Sequence, residues 1–444
     1  MVPALGPMPR ATPPIVFGRF LSRLSLFYEI CCWLTPAPYA KFADRRRRLP
    51  SYTFRKRFEQ DRKIPVQLLN GVKILDLSRV LAGPYATMVL ADLGADVIKV
   101  EHPDRGDDTR HWGPPFAGGQ SAYFLSINRN KRSITADLKN KEDLERIKQF
   151  ACKADVLIEN FRRGTLSRLG MDYSSVKLLN PALVYCSITG FGPGKEENQP
   201  GYDFLVQARA GLMAITGHPG GEPTKVGVAV ADIACGLYAA NAILAALYRR
   251  NSTGQGTWIE VPLFESEVSW LANRAQEYLV SGEDFGRMGN AHPSIVPYET
   301  FVAADKALAI AVGNDRQFAA FCRALGREDL ARDDRFATNP QRVAYRKQLV
   351  PILQLEISKR PAAEWIETIR ESGVPCGPVN ELADVFSDPH LVSSGMLQDV
   401  NHPTAGLMKM LASPVLVHGE RLPIRRPPPL LGQHNDELSA ENWT

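Results

Sequence analysis

The sequence predicts an α/β protein: a Rossmann-like large domain built on a parallel sheet, followed by a smaller α+β domain. Three observations carry this expectation. Short, continuous apolar runs alternate with helical patterns from about residue 71 to residue 262, as in parallel strands covered on both faces. Near Asn290 the pattern changes to hairpin-like alternation and amphipathic helices. The chain has 444 residues, more than one hydrophobic core usually organises.

Order is expected to begin near Gly71. VKILDL (72–77) reads as the first strand. In LAGPYATMVLADLG, Gly83-Pro84 opens an apolar helix that ends near Gly94, and ADVIKVE is the next strand, completing a βαβ unit. The rhythm repeats with RSITADL (132–138) as strand, KEDLERIKQFACK as amphipathic helix, and DVLIEN (155–160) and ALVYCSITG (182–190) as strands. Ligands are expected at the carboxyl ends of these strands. After Asp232, IACGLYAANAILAALYRR is apolar nearly all round, the pattern of a helix buried in a core or subunit interface. TWIEVPL returns to strand. ETFVAADKALAIAVGN reads as a hairpin, with helices around Arg316–Leu325 and Ala362–Ser372. The boundaries are therefore a leader and linker (1–65), a large domain (66–284), a small domain (285–390) and a C-terminal return to the large domain (391–444). Within that return, RRPPP at 425–429 is either packed or a solvated polyproline stretch.

The 44% apolar and 23% charged residues are those of a globular enzyme. The net charge of +5 is concentrated at one end: residues 1–63 carry 13 Lys or Arg against 4 Asp or Glu, leaving 40 against 44 in the rest. A basic face on the folded body, which nucleic-acid binding needs, is not expected. Arg10, Arg19 and Arg23 are interspersed with Ser22 and Ser25, and no acid precedes Glu29. That is the composition of a mitochondrial transit peptide, so delivery to the matrix is expected, with an uncleaved basic arm as the alternative. Glu29 interrupts the apolar run from Phe27 to Leu34, which is far shorter than the ~20 residues of a membrane span. The seven scattered cysteines and eight histidines show neither a disulfide framework nor metal-binding spacing.

The chemistry is expected at Asp232, where an apolar segment gives way to the long helix. The ordinary role of an Asp there is to cap the helix through backbone N–H groups. The same position suits a nucleophile, because a helix amino end favours the carboxylate and lowers its pKa, giving an anion at neutral pH. A carboxylate can attack a thioester in a dry site, since the resulting anhydride is itself readily opened. Position alone leaves both roles open.

Read in order, GVKILDLSRVLAGPYATMVLADLGADVIKVE, GDDTRHWGPP, NRNKRSITADLK, DVLIENFRRGTLSRLG, YCSITGFG, GYDFLVQARAGLM, VAVADIACGLYA and LLGQH (430–434) resemble the class III CoA-transferases, the family of formyl-CoA and carnitine CoA-transferases. The resemblance implies that Asp232 is the nucleophile and that two Rossmann-like chains interlock as a homodimer. It also implies that CoA thioesters and carboxylic acids are substrates, with no permanently bound cofactor. Arg162 and Arg168 match positions that contact CoA, beside Asn160 and Phe161 at a strand end. His102 stands where relatives often carry Arg, and Lys139, with Lys131 and Arg132, is a further candidate for the phosphates. RMGNAH (287–292) resembles a glycine-containing loop over the active site, bringing Gly289 and Asn290 to the substrate.

The stretches GDDTRHWGPPF, SIVPYETF, SGVPCGP and PPPLLGQH resemble the branch that moves CoA from succinyl-CoA to glutarate or a related dicarboxylate. The distal carboxylate of such an acid needs a cation or several N–H donors. Arg129 is a candidate, with CoA binding as its alternative role. Tyr202 stands where α-methylacyl-CoA racemases of this fold carry His, and a phenol is a poor substitute for an imidazole in proton exchange. Another acid pair, a racemase-like activity and an inactive CoA-binding protein are the other readings.

Overall fold

The computed structural model describes residues 67–439 except Phe285, together with residues 441 and 443. The leader, and the transit-peptide reading with it, lies outside the described residues. Six parallel strands form the main sheet: β1 (Lys73–Asp76), β2 (Asp96–Glu101), β3 (Lys131–Thr135), β4 (Val156–Glu159), β5 (Val184–Thr189) and β6 (Thr257–Pro262). Their order is β3-β2-β1-β4-β5-β6. Leu75 of β1 pairs with Ile98 of β2 on one side and Leu157 of β4 on the other. The strand order reverses between β1 and β4, so the ligand crevice of such a sheet lies outside their carboxyl ends.

The helices of this domain include α1 (Ala82–Asp92), α2 (Lys141–Lys153), α3 (Asp203–Arg209), α4 (Val230–Thr253), α5 (Leu263–Trp270) and α6 (Ala272–Ser281). On one face of the sheet, Ala86 and Leu90 of α1 pack with Ala239 and Ile243 of α4. On the other, α2 contributes Ile147, Phe150 and Ala151, and Asn140 caps it by accepting the N–H groups of Glu142 and Asp143. The approach of α1 to α4 depends on Gly236, where a Cβ would lie 2.7 Å from the carbonyl oxygen of Ala82.

The long helix α4 differs from expectation at its start. It begins at Val230, so Asp232 lies in its first turn and the cap position falls to Ala229. Within the single chain it is covered where it faces α1, α3, α5 and the sheet, while Leu237, Tyr238 and Tyr248 are exposed. By length and composition α4 is apolar enough to cross a membrane, but its inward face forms the core of the large domain.

Three antiparallel strands, β7 (Tyr298–Val302), β8 (Ala307–Ala311) and β9 (Cys376–Pro378), form a second sheet in the order β9-β8-β7. With α7 (Asp315–Ala324), α8 (Arg346–Ile357) and α9 (Ala362–Glu371) they enclose a separate core around Phe301, Phe318, Phe321, Leu353 and Trp365. The sequence reading did not anticipate α8, which carries Pro351 inside it. Beyond this, β10 (Leu397–His402) and β11 (Gly406–Leu411) form a hairpin. The chain then returns across the large domain. Asn130 Oδ1 accepts the N–H groups of Arg425 and Arg426 at 2.6 and 3.0 Å, and Arg110 donates to the Pro429 carbonyl at 3.1 Å. Trp443 packs against Phe150 in the sheet core, ring centroids 5.5 Å apart.

Candidate active site

Asp232 is partly buried where the amino ends of α1 and α4 meet. The capping role that would ordinarily occupy it is filled from another element. Asp203, the first residue of α3, accepts the Ala231 N–H of α4 on Oδ1 at 2.9 Å. Its Oδ2 accepts from Gln207 Nε2 at 2.7 Å, and Gln207 Oε1 accepts the Val226 N–H at 2.9 Å. A bracket of half-buried Asp203 and buried Gln207 thus ties down the chain entering α4, and Asp232 is not spent on that task.

The electrostatics of Asp232 run opposite to the sequence expectation. Burial pushes its carboxyl up to about 7, the neighbouring Asp203 adds to the rise, and the backbone N–H of Ala82 works against it without prevailing. One helix amino end does not offset desolvation together with a like charge. The surroundings are acidic as well. Tyr123 is pushed up to about 12 by burial and by Asp232, and its ring meets Trp112 edge-on at 5.1 Å. Glu267 of α5 is buried with no hydrogen-bond partner among the described residues on either carboxylate oxygen, and burial and Asp203 push it up to about 6. Asp203→Asn keeps an oxygen for the Ala231 N–H while removing the like charge. The acidic limb of the kcat/KM profile, expected near pH 7, therefore shifts down by roughly half to one pH unit in this variant. An unmoved limb would show that the Asp203 charge has no influence on Asp232.

The expected CoA residues lie on loops that follow carboxyl ends of the parallel strands. Asn160, after β4, exchanges two hydrogen bonds with the backbone of Arg79, after β1: the Arg79 N–H donates to Oδ1 at 2.9 Å, and Nδ2 donates to the Arg79 carbonyl at 2.7 Å. These bonds bridge the two loops where the strand order reverses. The Arg79 guanidinium lies 5.5 Å from the centre of the Phe161 ring. Phe161 and Arg162 line a cleft of about 270 Å³ that extends to Tyr173, Trp258 and Glu260. Arg162, Arg168 and Lys139 are exposed and His102 is half-exposed after β2, a distribution suited to phosphates that stay partly in water.

Other expected residues are placed differently. Arg129 is buried and paired bidentately with Asp92, through Nε at 3.1 Å and Nη2 at 2.5 Å. Asp92 is the last residue of α1, so Arg129 is engaged at the opposite end of that helix from Ala82, whose N–H faces Asp232. Lys131 is likewise buried, donating to the Pro84 carbonyl at 2.7 Å and Asn128 Oδ1 at 2.9 Å. Arg132 pairs with Asp96. These three cations are engaged by carboxylates, carbonyls and the Asn128 amide oxygen of the framework. Tyr202 is exposed immediately before Asp203. The Gly289 N–H donates to the Gly217 carbonyl at 2.9 Å, and Arg287 donates to the Gly221 carbonyl at 2.7 Å, so this loop is tied to the segment preceding α4. Asn290 Nδ2 donates to Thr300 Oγ1 at 3.0 Å.

A model of CoA-transferase family III matches residues 69–435. The chain belongs to that family. This CoA-transferase is 44% identical to succinyl-CoA:glutarate CoA-transferase of Mus musculus over 84% of its own length and 86% of that protein. It is 44% identical to the succinate–glutarate CoA-transferase of Agrobacterium fabrum, over 84% and 95% of the two chains. Among solved structures it resembles a CaiB/BaiF family protein from Brucella suis at 45% identity and a TM-score of 0.75, covering 83% of this chain and 97% of that one. Around the candidate site of this CoA-transferase lie residues that sequence reasoning did not single out: Arg79, Tyr123, Asp203 and Glu267. Of these, Asp203 had a visible signal, a short acidic side chain at the start of an amphipathic turn, but its partner 28 residues away was not legible.

Proposed function

We propose that this enzyme moves CoA from succinyl-CoA to glutarate or a related dicarboxylate through covalent intermediates on Asp232. The observation that carries the proposal is the division of roles at the start of α4: Asp203 caps the helix, leaving the Asp232 carboxylate available at the meeting of two helix amino ends. The names and identities of the relatives support the choice of acids.

In the proposed reaction, an Asp232 carboxylate oxygen attacks the succinyl thioester carbon. The C–S bond breaks, giving CoA thiolate and an aspartyl–succinyl anhydride. The thiolate attacks the Asp232 carbonyl of the anhydride, which releases succinate and leaves an aspartyl-CoA thioester. Glutarate attacks that thioester, and the thiolate then takes the glutaryl group, restoring Asp232. One thioester replaces another, so the balance requires no nucleotide hydrolysis. Burial raises the energy of the attacking carboxylate, and half of it is ionised near neutral pH at a value of about 7. Hydroxylamine added during turnover with succinyl-CoA is expected to leave a hydroxamate on Asp232, located by peptide mass. A hydroxamate at another carboxylate would sink the mechanism.

We further propose a homodimer of interlocked chains in the mitochondrial matrix. Supporting the dimer are apolar side chains exposed by a single chain, Leu237, Tyr238 and Tyr248 on α4 and Tyr278, Leu279 and Val280 on α6. A monomer in sedimentation at nanomolar concentration would contradict it. Supporting the location are the interspersed Arg and Ser residues of the leader. A fluorescent reporter carrying residues 1–65 is expected to enter mitochondria, and a cytosolic reporter would remove the assignment.

A further inference from the structure

The loop joining β1 to α1 is held by an unusual set of partners. Val80 has φ 68°, in the left-handed region that a β-branched residue disfavours. The backbone polar groups before its carbonyl are met by side chains from four places in the fold. The Ser78 N–H donates to Asp76 Oδ1 at 3.0 Å, and the Ser78 carbonyl accepts from Lys99 Nζ at 2.9 Å. Asn160 takes both polar groups of Arg79 at 2.9 and 2.7 Å. The Val80 N–H donates to the two oxygens of Asp107 at 3.3 and 3.2 Å.

Two of these partners form a fully buried ion pair, Lys99 Nζ to Asp107 Oδ2 at 2.8 Å. Thr109 fixes Asp107 from the other side, donating to Oδ1 from its N–H at 3.0 Å and its hydroxyl at 2.7 Å. Burial disfavours the charge on Asp107, but Lys99 and Thr109 outweigh it and hold the carboxyl below its usual range. Burying two charges is costly unless they are well paired and hydrogen-bonded. Here both members of the pair direct further bonds to the backbone of one short loop. Ala82, two residues beyond Val80, opens α1 and supplies the N–H that favours the Asp232 carboxylate.

We propose that Asp107, held by Lys99, is a positioning residue for the transfer reaction: it clamps the strained Val80 turn so that the Ala82 N–H is aimed at Asp232. The inference rests on the reading of Asp232 as nucleophile. The titratable groups that interact with Asp232 are Asp203 from α3, Tyr123 from the short helix Ala122–Ile127, and Cys235 one turn along α4, and Asp203 in turn acts on Glu267 of α5. All are acids. The aim of a backbone donor therefore has a direct effect on how much of Asp232 is ionised.

In Asp107→Asn one amide oxygen cannot accept from Lys99, the Val80 N–H and the two Thr109 donors together, and the neutral side chain no longer pairs with the Lys99 charge, so the turn relaxes and the donor leaves Asp232. The acidic limb of kcat/KM is expected to move upward by roughly one pH unit. Thr109→Val, which removes one bond to Asp107, shifts it the same way by less and serves as the deciding variant if Asp107→Asn does not fold. Adding Val80→Gly to Asp107→Asn returns the limb towards its wild-type position, because glycine holds a positive φ without strain. A limb that stays in place while only stability or kcat falls overturns the positioning role, as does a double variant that remains shifted. Asp232→Asn, measured alongside, separates the two claims. Activity in that variant overturns the nucleophile reading, whereas an inactive Asp232→Asn with an unmoved Asp107→Asn limb overturns the positioning role alone.

Discussion

Asp232→Asn is expected to lose CoA transfer by roughly 10⁴-fold or more while making the folded protein more stable at neutral pH. Asparagine has nearly the same shape but offers no anionic nucleophile. The stability gain follows from the raised carboxyl. The folded chain retains the Asp232 proton up to about pH 7, whereas the unfolded chain releases it near the ordinary value of 3.8. Folding is therefore opposed by this residue increasingly as pH rises between those values, and the penalty is complete above the upper one. Allowing for partial exposure, its size is on the order of 2–4 kcal/mol. Thermal unfolding of both proteins from pH 4 to pH 8 checks this. The Asn variant should gain on the wild type across the window, and the difference should vanish at its acid end. Parallel curves would show that Asp232 pays no such cost.

Arg129→Ala is expected to destabilise the fold by about 3–5 kcal/mol, because it leaves the buried carboxylate of Asp92 without its guanidinium. The Asn130 side chain still donates to Asp92 at 2.7 Å, which places the loss towards the lower end. The kinetic consequence differs from the sequence expectation. A residue that held the distal carboxylate of glutarate would raise KM for dicarboxylates and spare monocarboxylates. A residue that pins the end of α1 instead lowers the melting temperature and leaves the ratio between glutarate and butyrate as acceptors unchanged. Chemical denaturation and the two KM values distinguish these results. A selective loss for glutarate in a protein of normal stability would return Arg129 to the substrate site.

The contrast between Asp232 and Arg129 shows which physical information the sequence carries. Strands such as VKILDL and ADVIKVE were legible because burial on both faces requires apolar runs, and KEDLERIKQFACK because one buried stripe and an Asn cap define both its face and its start. α8 was obscured because tertiary packing tolerates Pro351 where local preference does not. In the site, the position of Asp232 at a helix amino end was legible, but its ionisation was not. That depends on Asp203, the Ala82 N–H and the depth of burial, contributed by other segments of the chain. The role of Arg129 was hidden for the same reason. Its neighbour Asn130 suggests a polar loop, yet Asp92, 37 residues earlier, turns both side chains inward.

The bracket formed by Asp203 and Gln207 also affects what happens during a catalytic cycle. In the proposed reaction Asp232 becomes in turn an anhydride and a thioester, and in both it loses its charge and much of its capacity to accept hydrogen bonds. Had the same carboxylate secured the first turn of α4, each acylation would have released the end of a helix that runs through the centre of the domain. With that task assigned to Asp203, the covalent changes remain local and the scaffold presents the same geometry to every intermediate. The arrangement separates a reagent that is consumed and regenerated from a fastening that is permanent, so turnover proceeds without repeated loosening of the structure that makes it possible.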